Sequence, residues 1–382
     1  MIPYARQDVC EADIQAVVDV LRSEFLTQGP VVPAFERAVA AYCGGAHAVA
    51  VNSATSALHV ACMALEVKPG DRVWTSPITF VASANCARYC GADVDFVDVD
   101  PGTFNLSVDR LEEKLRRAER SNTLPRVLIP VHFAGQSCDM SRIHQLAQRF
   151  GFRVLEDASH AIGGRYQGEP IGNCRDSAIT IFSFHPVKAI TTGEGGMAIT
   201  NDATIADRMR RLRTHGITRD PALMTEVCEG PWYYEQTALG YNYRMTDIQA
   251  ALGYSQLQRL DMYVARRRAL AERYDRLLAD LPVVRQAAHS DSETAAHLYV
   301  VRVTPPRKRG GVFVHMRSEG IGVNVHYIPV HLQPYYRALG YRPGDFPEAE
   351  RYYEEALSLP LHPRLTESEQ DRVVLALRRA LE

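Results

Sequence analysis

Lysine is nearly absent from this chain. Of 43 lysine and arginine residues only four are lysines, namely Lys68, Lys114, Lys188 and Lys308. Net charge is also missing. A formal charge of -2 leaves no basic footprint for nucleic acid and no polybasic surface for a membrane. No apolar run approaches the roughly 18 residues that a membrane-crossing helix needs. The opening MIPYARQDVCEADI carries acids where a secretion signal needs an apolar core, so a cytoplasmic protein is expected. The eight cysteines (Cys10, Cys43, Cys62, Cys86, Cys90, Cys138, Cys174 and Cys228) contain no CxxC pair. Cys86 and Cys90 share a helical spacing but have no histidine or carboxylate beside them. Reduced, buried thiols are therefore expected, and no metal site.

What is present is an ordinary globular composition, 46% hydrophobic and 23% charged over 382 residues, enough for two domains. Between about residues 45 and 200 short apolar runs alternate with helical periods. Ala48–Val51, Arg72–Thr75, Val94–Val97, Val127–Val131, Val154–Glu156, Ala178–Phe182 and Met197–Thr200 read as strands. Ala54–Leu65, Val108–Ala118 and Ser141–Phe150 read as helices between them. Such alternation predicts an α/β fold with a mostly parallel, helix-covered sheet. After residue 200 come a helix over Ala203–Leu212, an aromatic loop over Pro231–Tyr243, and long helical patterns over Thr246–Leu260 and Met262–Leu281. A strand at His297–Val303, a helix at Val312–Glu319, a strand at Val323–His326 and a helix from Glu367 complete the pattern. The expected division is a large domain over 1–260, including the N-terminal segment, and a smaller C-terminal domain over 261–382.

Three of the lysines sit where any cation would do: Lys68 in a Pro-Gly turn, Lys114 on a charged helical face, and Lys308 in a basic loop. Lys188 lies instead between an aromatic strand and a Gly/Thr loop. Arginine stays protonated in proteins, whereas a lysine amine can be made nucleophilic. Lys188 is thus either a Schiff-base lysine or an incidental residue at a strand end. Asn52–Leu58 follows a strand and opens a helix with small hydroxyl residues, which suits either a phosphate or a plain N-cap. At the end of another strand, Asp157 or Glu156 is either the partner of a pyridine nitrogen or a surface acid. Phe80, just past a third strand, is either a ring that stacks on a flat cofactor or core packing. Ser183 offers a further hydroxyl for a phosphate. One cofactor, pyridoxal 5'-phosphate, accounts for a lysine, an acid, a ring and a phosphate cradle at the strand ends of one α/β unit.

The blocks NSATSALH, SPITFVASAN, EDASHAIGG, FSFHPVKAITTGEGG and GYNYRMTDIQAALG resemble the DegT/DnrJ/EryC1/StrS family of sugar aminotransferases, over essentially the whole chain. These are pyridoxal-phosphate enzymes of fold type I, the aspartate-aminotransferase architecture. The segments IPYARQDV, LTQGPVVPAFE and NVHYIPVH resemble the branch that acts in pseudaminic acid synthesis. The resemblance implies amino transfer from L-glutamate, which leaves as 2-oxoglutarate, to C4 of a UDP-linked 4-keto-6-deoxy-N-acetyl sugar. Family dehydratases carry histidine in place of the lysine, so Lys188 favours transamination. Carried over residue by residue, Lys188 is the Schiff-base lysine and Asp157 the partner of the pyridine nitrogen. Phe80 stacks on the ring and His160 lies near the cofactor, while Thr55, Ser56 and Ser183 hold its phosphate. Asn242 reaches the phosphate of a neighbouring subunit in a homodimer with shared active sites. Tyr4, Leu26, Thr27, Asn324, His326 and Tyr327 line the nucleotide-sugar pocket, and Arg244 holds a glutamate carboxylate or makes an intersubunit ion pair. The competing readings are a family aminotransferase acting at C3 or C4 of another nucleotide-linked keto sugar, and a non-catalytic regulatory protein of the same fold.

Overall fold

The computed structural model of the protein describes residues 1–228, 230–305 and 307–382. Its centre is a seven-stranded sheet in the order His47–Val51, Gly196–Thr200, Ile179–Ser183, Arg153–Asp157, Val127–Ile129, Arg72–Thr75 and Asp93–Phe96. Six strands run one way. Gly196–Thr200 alone runs against them, paired antiparallel to His47–Val51 on one side and Ile179–Ser183 on the other. The mostly parallel sheet expected from the β/α alternation is therefore present, with one reversed strand.

Helices cover both faces, which explains why the strands read as nearly unbroken apolar runs. Side chains alternate between the two sides. Val49 and Val51 pack into one core with Leu58, Ala61 and Ile181. Ala48 and Ala50 face the other, with Phe35, Phe182, Met197 and Ile199. The hydrophilic ends of these helices are capped by local side chains, such as Ser53 for Ala54–Ala64 and Asp139 for Met140–Phe150.

A second, three-stranded antiparallel sheet is formed by Val283–Arg285, Tyr299–Val303 and Ala356–Leu359. It packs with the helices Leu260–Leu277, Arg309–Ser318 and Glu367–Leu381 around Leu270, Tyr274, Met316, Leu357 and Leu377. Ile2 is buried in that same core, and its backbone exchanges bonds with Gly320 and Gly322.

Three expectations need correction. Val323–His326 is not a strand: only Asn324 bridges Ser358, and the strand that fills this place is Ala356–Leu359. The reason is local. The Asn324 side chain accepts from the Val325 amide at 2.8 Å, and Tyr352 donates to the His326 carbonyl at 2.6 Å, so backbone groups there bond to side chains rather than a ladder. Lys114 is not on a bland charged face. Its Nζ lies 2.6 Å from Asp95, donates to the Phe96 carbonyl at 2.6 Å, and sits 4.8 Å from the centre of the Trp74 ring. The thiols are free, but Cys10 and Cys90 are only partly buried and Cys228 is exposed. Among the described residues no cluster suits a metal ion, and no helix is long and apolar enough to cross a membrane.

Candidate active site

The parallel strands end on one edge of the sheet, and ligands of open α/β sheets bind beyond such carboxyl ends. A cavity of about 920 Å³ opens there. The turn after His47–Val51 brings Ser53, Thr55 and Ser56 to it, and the turn after Arg72–Thr75 brings Thr79 and Phe80. Arg153–Asp157 delivers Asp157 and His160, and Ile179–Ser183 delivers Ser183 and Lys188. Tyr4, Asn324, His326 and Tyr327 close the cavity from the side of the second sheet.

The cradle is a helix N-terminus. Ser53 caps Ala54–Ala64 by accepting from the Ser56 amide at 3.1 Å, and the Ser56 hydroxyl donates to the Asn52 side-chain oxygen at 2.6 Å. The amides of Ala54 and Thr55 have no hydrogen-bond acceptor among the described residues, and they open the first turn of the helix. The cradle is pressed against the reversed strand. A Cβ on Gly196 would stand 2.5 Å from the Ser53 carbonyl oxygen and 2.6 Å from the Ala54 nitrogen.

Asp157 and Glu156 are separated by the strand period. Asp157 faces the cavity. The Ser83 hydroxyl donates to its Oδ2 at 2.5 Å and the Ser159 amide to its Oδ1 at 3.1 Å. Because the single proton of the Ser83 hydroxyl goes to Asp157, the Thr79–Ser83 contact at 2.7 Å has a direction, with Thr79 donating to Ser83. Glu156 points to the opposite face, where His132 at 2.7 Å, Thr180 at 2.9 Å and Ser177 surround it. Burial would raise its carboxyl, but these donors hold it below the usual carboxylate range.

Lys188 follows the turn His185–Val187, its amide donating to the His185 carbonyl at 2.9 Å. Burial within the cavity walls pulls its ammonium down to about 8, against the opposing charge of Asp157. His160 is also kept neutral, first by burial and then by Lys188 and His326. Tyr327 and the His160 Nε2 lie 3.1 Å apart. Burial beside Lys188 brings His326 to about 4, and its Nδ1 lies 2.8 Å from the Ser358 hydroxyl. Phe80, by contrast, is 58% exposed at the cavity rim, with the Tyr327 ring 6.4 Å away as its neighbour.

Eleven of the fifteen sequence-derived site residues thus meet in one space, and four do not. Leu26 and Thr27 lie outside it, strapped to the start of the helix Asp247–Leu257: the Asp247 amide donates to the Leu26 carbonyl at 3.0 Å and Thr27 bridges Thr246. Asn242 is exposed and bridges Thr214, and Arg244 is half-buried, both away from this chain's cavity. Sequence reasoning missed Ser83, His297 and Gln249. Gln249 had a signal, the Thr246-x-x-Gln249 capping box, whose Gln249 Nε2 donates to the Glu194 carbonyl at 2.9 Å. Ser83 and His297 had none.

The residues fit pyridoxal 5'-phosphate. Free amides and hydroxyls await a phosphate, a fixed carboxylate suits a pyridinium, an exposed ring suits a flat heterocycle, and a depressed amine stands across from the acid. Comparison with known proteins agrees. Residues 7–378 match the model of the DegT/DnrJ/EryC1/StrS aminotransferase family. The chain is 41% identical to the spore coat polysaccharide biosynthesis protein SpsC of Bacillus subtilis, over 99% of this chain and 96% of that one. Among solved structures it superposes on Spr1654 of Streptococcus pneumoniae, named a sugar aminotransferase and solved in its PMP form. There the TM-score is 0.90 at 32% identity, covering 100% and 99% of the two chains. Helicobacter pylori PseC, an aminotransferase of pseudaminic acid biosynthesis, gives a TM-score of 0.90 at 28% identity with the same coverage. The fold is that of pyridoxal-phosphate transferases of type I, and the chain belongs to the DegT/DnrJ/EryC1/StrS family of sugar aminotransferases.

Proposed function

We propose that the protein moves the amino group of L-glutamate to C4 of a UDP-linked 4-keto-6-deoxy-N-acetylhexosamine. The observation that carries amino transfer is Lys188 facing Asp157 across a cavity that ends in a phosphate cradle. The finer reading is supported by the full-length likeness to PseC and by Asn324, His326 and Tyr327, which belong to the NVHYIPVH segment and line the cavity.

When bound, pyridoxal phosphate supplies the electron sink for breaking and making bonds at the carbon that carries nitrogen. The chain supplies the rest. Ala54 and Thr55 amides, with the Thr55, Ser56 and Ser183 hydroxyls, hold the phosphate at the positive end of the helix. Asp157 keeps the ring nitrogen protonated, and Ser83 and Ser159 fix the direction of its oxygens. Phe80 covers one ring face and excludes water from it. Lys188 would hold the group covalently through its amine and, as a free amine, would take the proton from the donor's α-carbon to the cofactor side in one half-reaction and deliver a proton to the sugar's C4 in the other. Both roles need a neutral amine, which its depressed pKa makes accessible near pH 8.

The site is completed, in this proposal, by a second copy of the chain. Asn242 and Arg244, which stand clear of their own cavity, serve the neighbouring one, together with the exposed Leu26 and Thr27. We also divide the chain near residue 260 into a large and a small domain. The core around Leu270, Tyr274, Met316 and Leu377, which Ile2 joins, supports that division, while Val330 and Tyr336 pack into the core of the large domain and Leu298, Val300 and Tyr352 share a core with Ile78 and Phe133.

A second reading has its own support: SpsC at 41% identity is named for a spore coat polysaccharide, which favours another nucleotide-linked keto sugar aminated at C3 or C4. A panel of UDP-, dTDP- and GDP-linked keto sugars with glutamate, and the position of the new amine read by NMR, separates the two. Replacing Lys188 with alanine is expected to abolish both the visible absorbance of bound cofactor and amino transfer. Survival of both overturns the mechanism.

A further inference from the structure

Among its lining residues the cavity has two carboxylates, Asp157 and Glu194, one ammonium, Lys188, and no arginine. Glutamate brings two carboxylates of its own, and Lys188 is engaged in the chemistry. One cation, Arg244 of a second copy, is already assigned to this cavity in the proposal above; a charge for the other carboxylate has to come from behind the lining.

His297 marks where. It is 4% exposed, lines the cavity, and its ring lies 4.4 Å from that of His160. Its Nδ1 is enclosed without a partner, as is that of His160, which leaves Nε2 as the nitrogen of His297 open to the cavity. Burial, then His160, Lys188 and Arg267, keep this imidazole neutral. A neutral ring carries one N–H, and the tautomer that leaves the enclosed Nδ1 bare puts the proton on Nε2, aimed at a ligand oxygen.

Directly behind stands Arg267, only 1% exposed. Its guanidinium donates to the carbonyls of His297 at 3.2 Å and Leu361 at 2.9 Å, and it meets no carboxylate among the described residues. Burial lowers its pKa to about 10, which still leaves it charged at neutral pH. A whole positive charge is thus held in a dry wall without a counter-ion, an arrangement that is costly unless an anion arrives. The rings of His297 and His160 are both kept neutral by burial, so they do not cancel its field toward the cavity. The hydroxyls of the sugar ring would have no use for that field; the anions that would are the donor's carboxylates and the diphosphate of the nucleotide, which the two KM readings below separate.

We propose that His297, backed by Arg267, is the subsite for a carboxylate of the amino donor. The inference rests on the reading of the chain as an aminotransferase that uses glutamate. His297 touches the donor; Arg267 is a positioning and electrostatic residue that acts through it.

The test uses the holoenzyme and glutarate, a dicarboxylate that cannot donate an amine, titrated by calorimetry. Half-reaction kinetics with glutamate and with the keto sugar run in parallel. His297→Phe is expected to weaken glutarate and raise the KM for glutamate by roughly 10- to 100-fold, the loss of one hydrogen bond to a charged group. The KM for the keto sugar stays where it was. His297→Asn, which retains a donor, restores part of the loss, and it decides the matter if the phenylalanine variant fails to fold. Arg267→Met is expected to weaken glutarate with the imidazole intact. Unchanged glutarate affinity in the His297 variants, or an equal loss for sugar and dicarboxylate, overturns the subsite. A wild-type protein whose cofactor spectrum ignores glutamate overturns the donor reading itself.

Discussion

Gly196→Ala is the sharpest perturbation of the cradle, because the added atom has nowhere to go. Its Cβ would lie 2.5 Å from the Ser53 carbonyl oxygen and 2.6 Å from both the Ser53 carbonyl carbon and the Ala54 nitrogen. Ordinary contact begins at 3.4 Å, so backbone must retreat by about 0.9 Å (3.4 less 2.5). Gly196 itself cannot yield, since Val51 and Ser183 pair with it from both sides. The helix start moves instead, and with it the two free amides of Ala54 and Thr55. Overpacking of this kind costs about 1–3 kcal/mol of stability. Misplacing one charge-assisted bond to the phosphate costs about 1.5–3 kcal/mol more in binding, or roughly 10- to 100-fold in cofactor affinity. Urea unfolding of the cofactor-free protein reads the first quantity, and titration with pyridoxal phosphate reads the second. Gly193→Ala is the matched control. Its Cβ meets nothing within 4 Å, and its cost is confined to the φ of 82°, about 1–2 kcal/mol without a loss of cofactor affinity. The reasoning fails if Gly196→Ala binds cofactor as the parent does, or if Gly193→Ala loses as much.

Two further outcomes follow from the electrostatics. Lys188 has a depressed pKa in the fold, so between about 8 and the ordinary 10.5 the unfolded chain holds more protons and stability rises with pH. Cofactor-free Lys188→Met is therefore expected to be more stable than the parent at pH 7, by at most about 3 kcal/mol. The gap should close by pH 10.5; a pH-independent difference in urea unfolding refutes the linkage. Ser83→Ala removes the 2.5 Å donor to Asp157 and nothing larger than a hydroxyl. It is expected to lower cofactor affinity by roughly 10-fold or more, and to move the pH midpoint of the cofactor's visible band; a variant with both unmoved removes Ser83 from the site.

The sheet was legible because its strands are buried on both faces and its helices on one, two periods that survive in a single sequence. The site was legible wherever chemistry sits directly after a strand: Ser53–Ser56, Thr79–Phe80, Asp157–His160 and Ser183–Lys188 all do. The choice between Asp157 and Glu156 came only from the family resemblance, since adjacent acids differ only in which face the pleat gives them, and that depends on the register with Ile179–Ser183. Ser83 and His297 were hidden for a different reason. Each acts across the fold, one from a helix onto the end of another strand, the other from the segment that leads into Tyr299–Val303 onto His160, and no local pattern records such a meeting. Lysine scarcity likewise works only in part. It pointed to Lys188 by elimination, yet Lys114 turned out to be just as particular, wedged between Asp95 and the Trp74 ring. What distinguishes the two is the partner. Lys114 meets its counter-ion at 2.6 Å and is neutralised in place, whereas no ion pair joins Lys188 to Asp157. A lysine left unpaired at the edge of a cavity has its proton to spare, and that property is visible only once the sheet has brought the acid and the amine to the same edge.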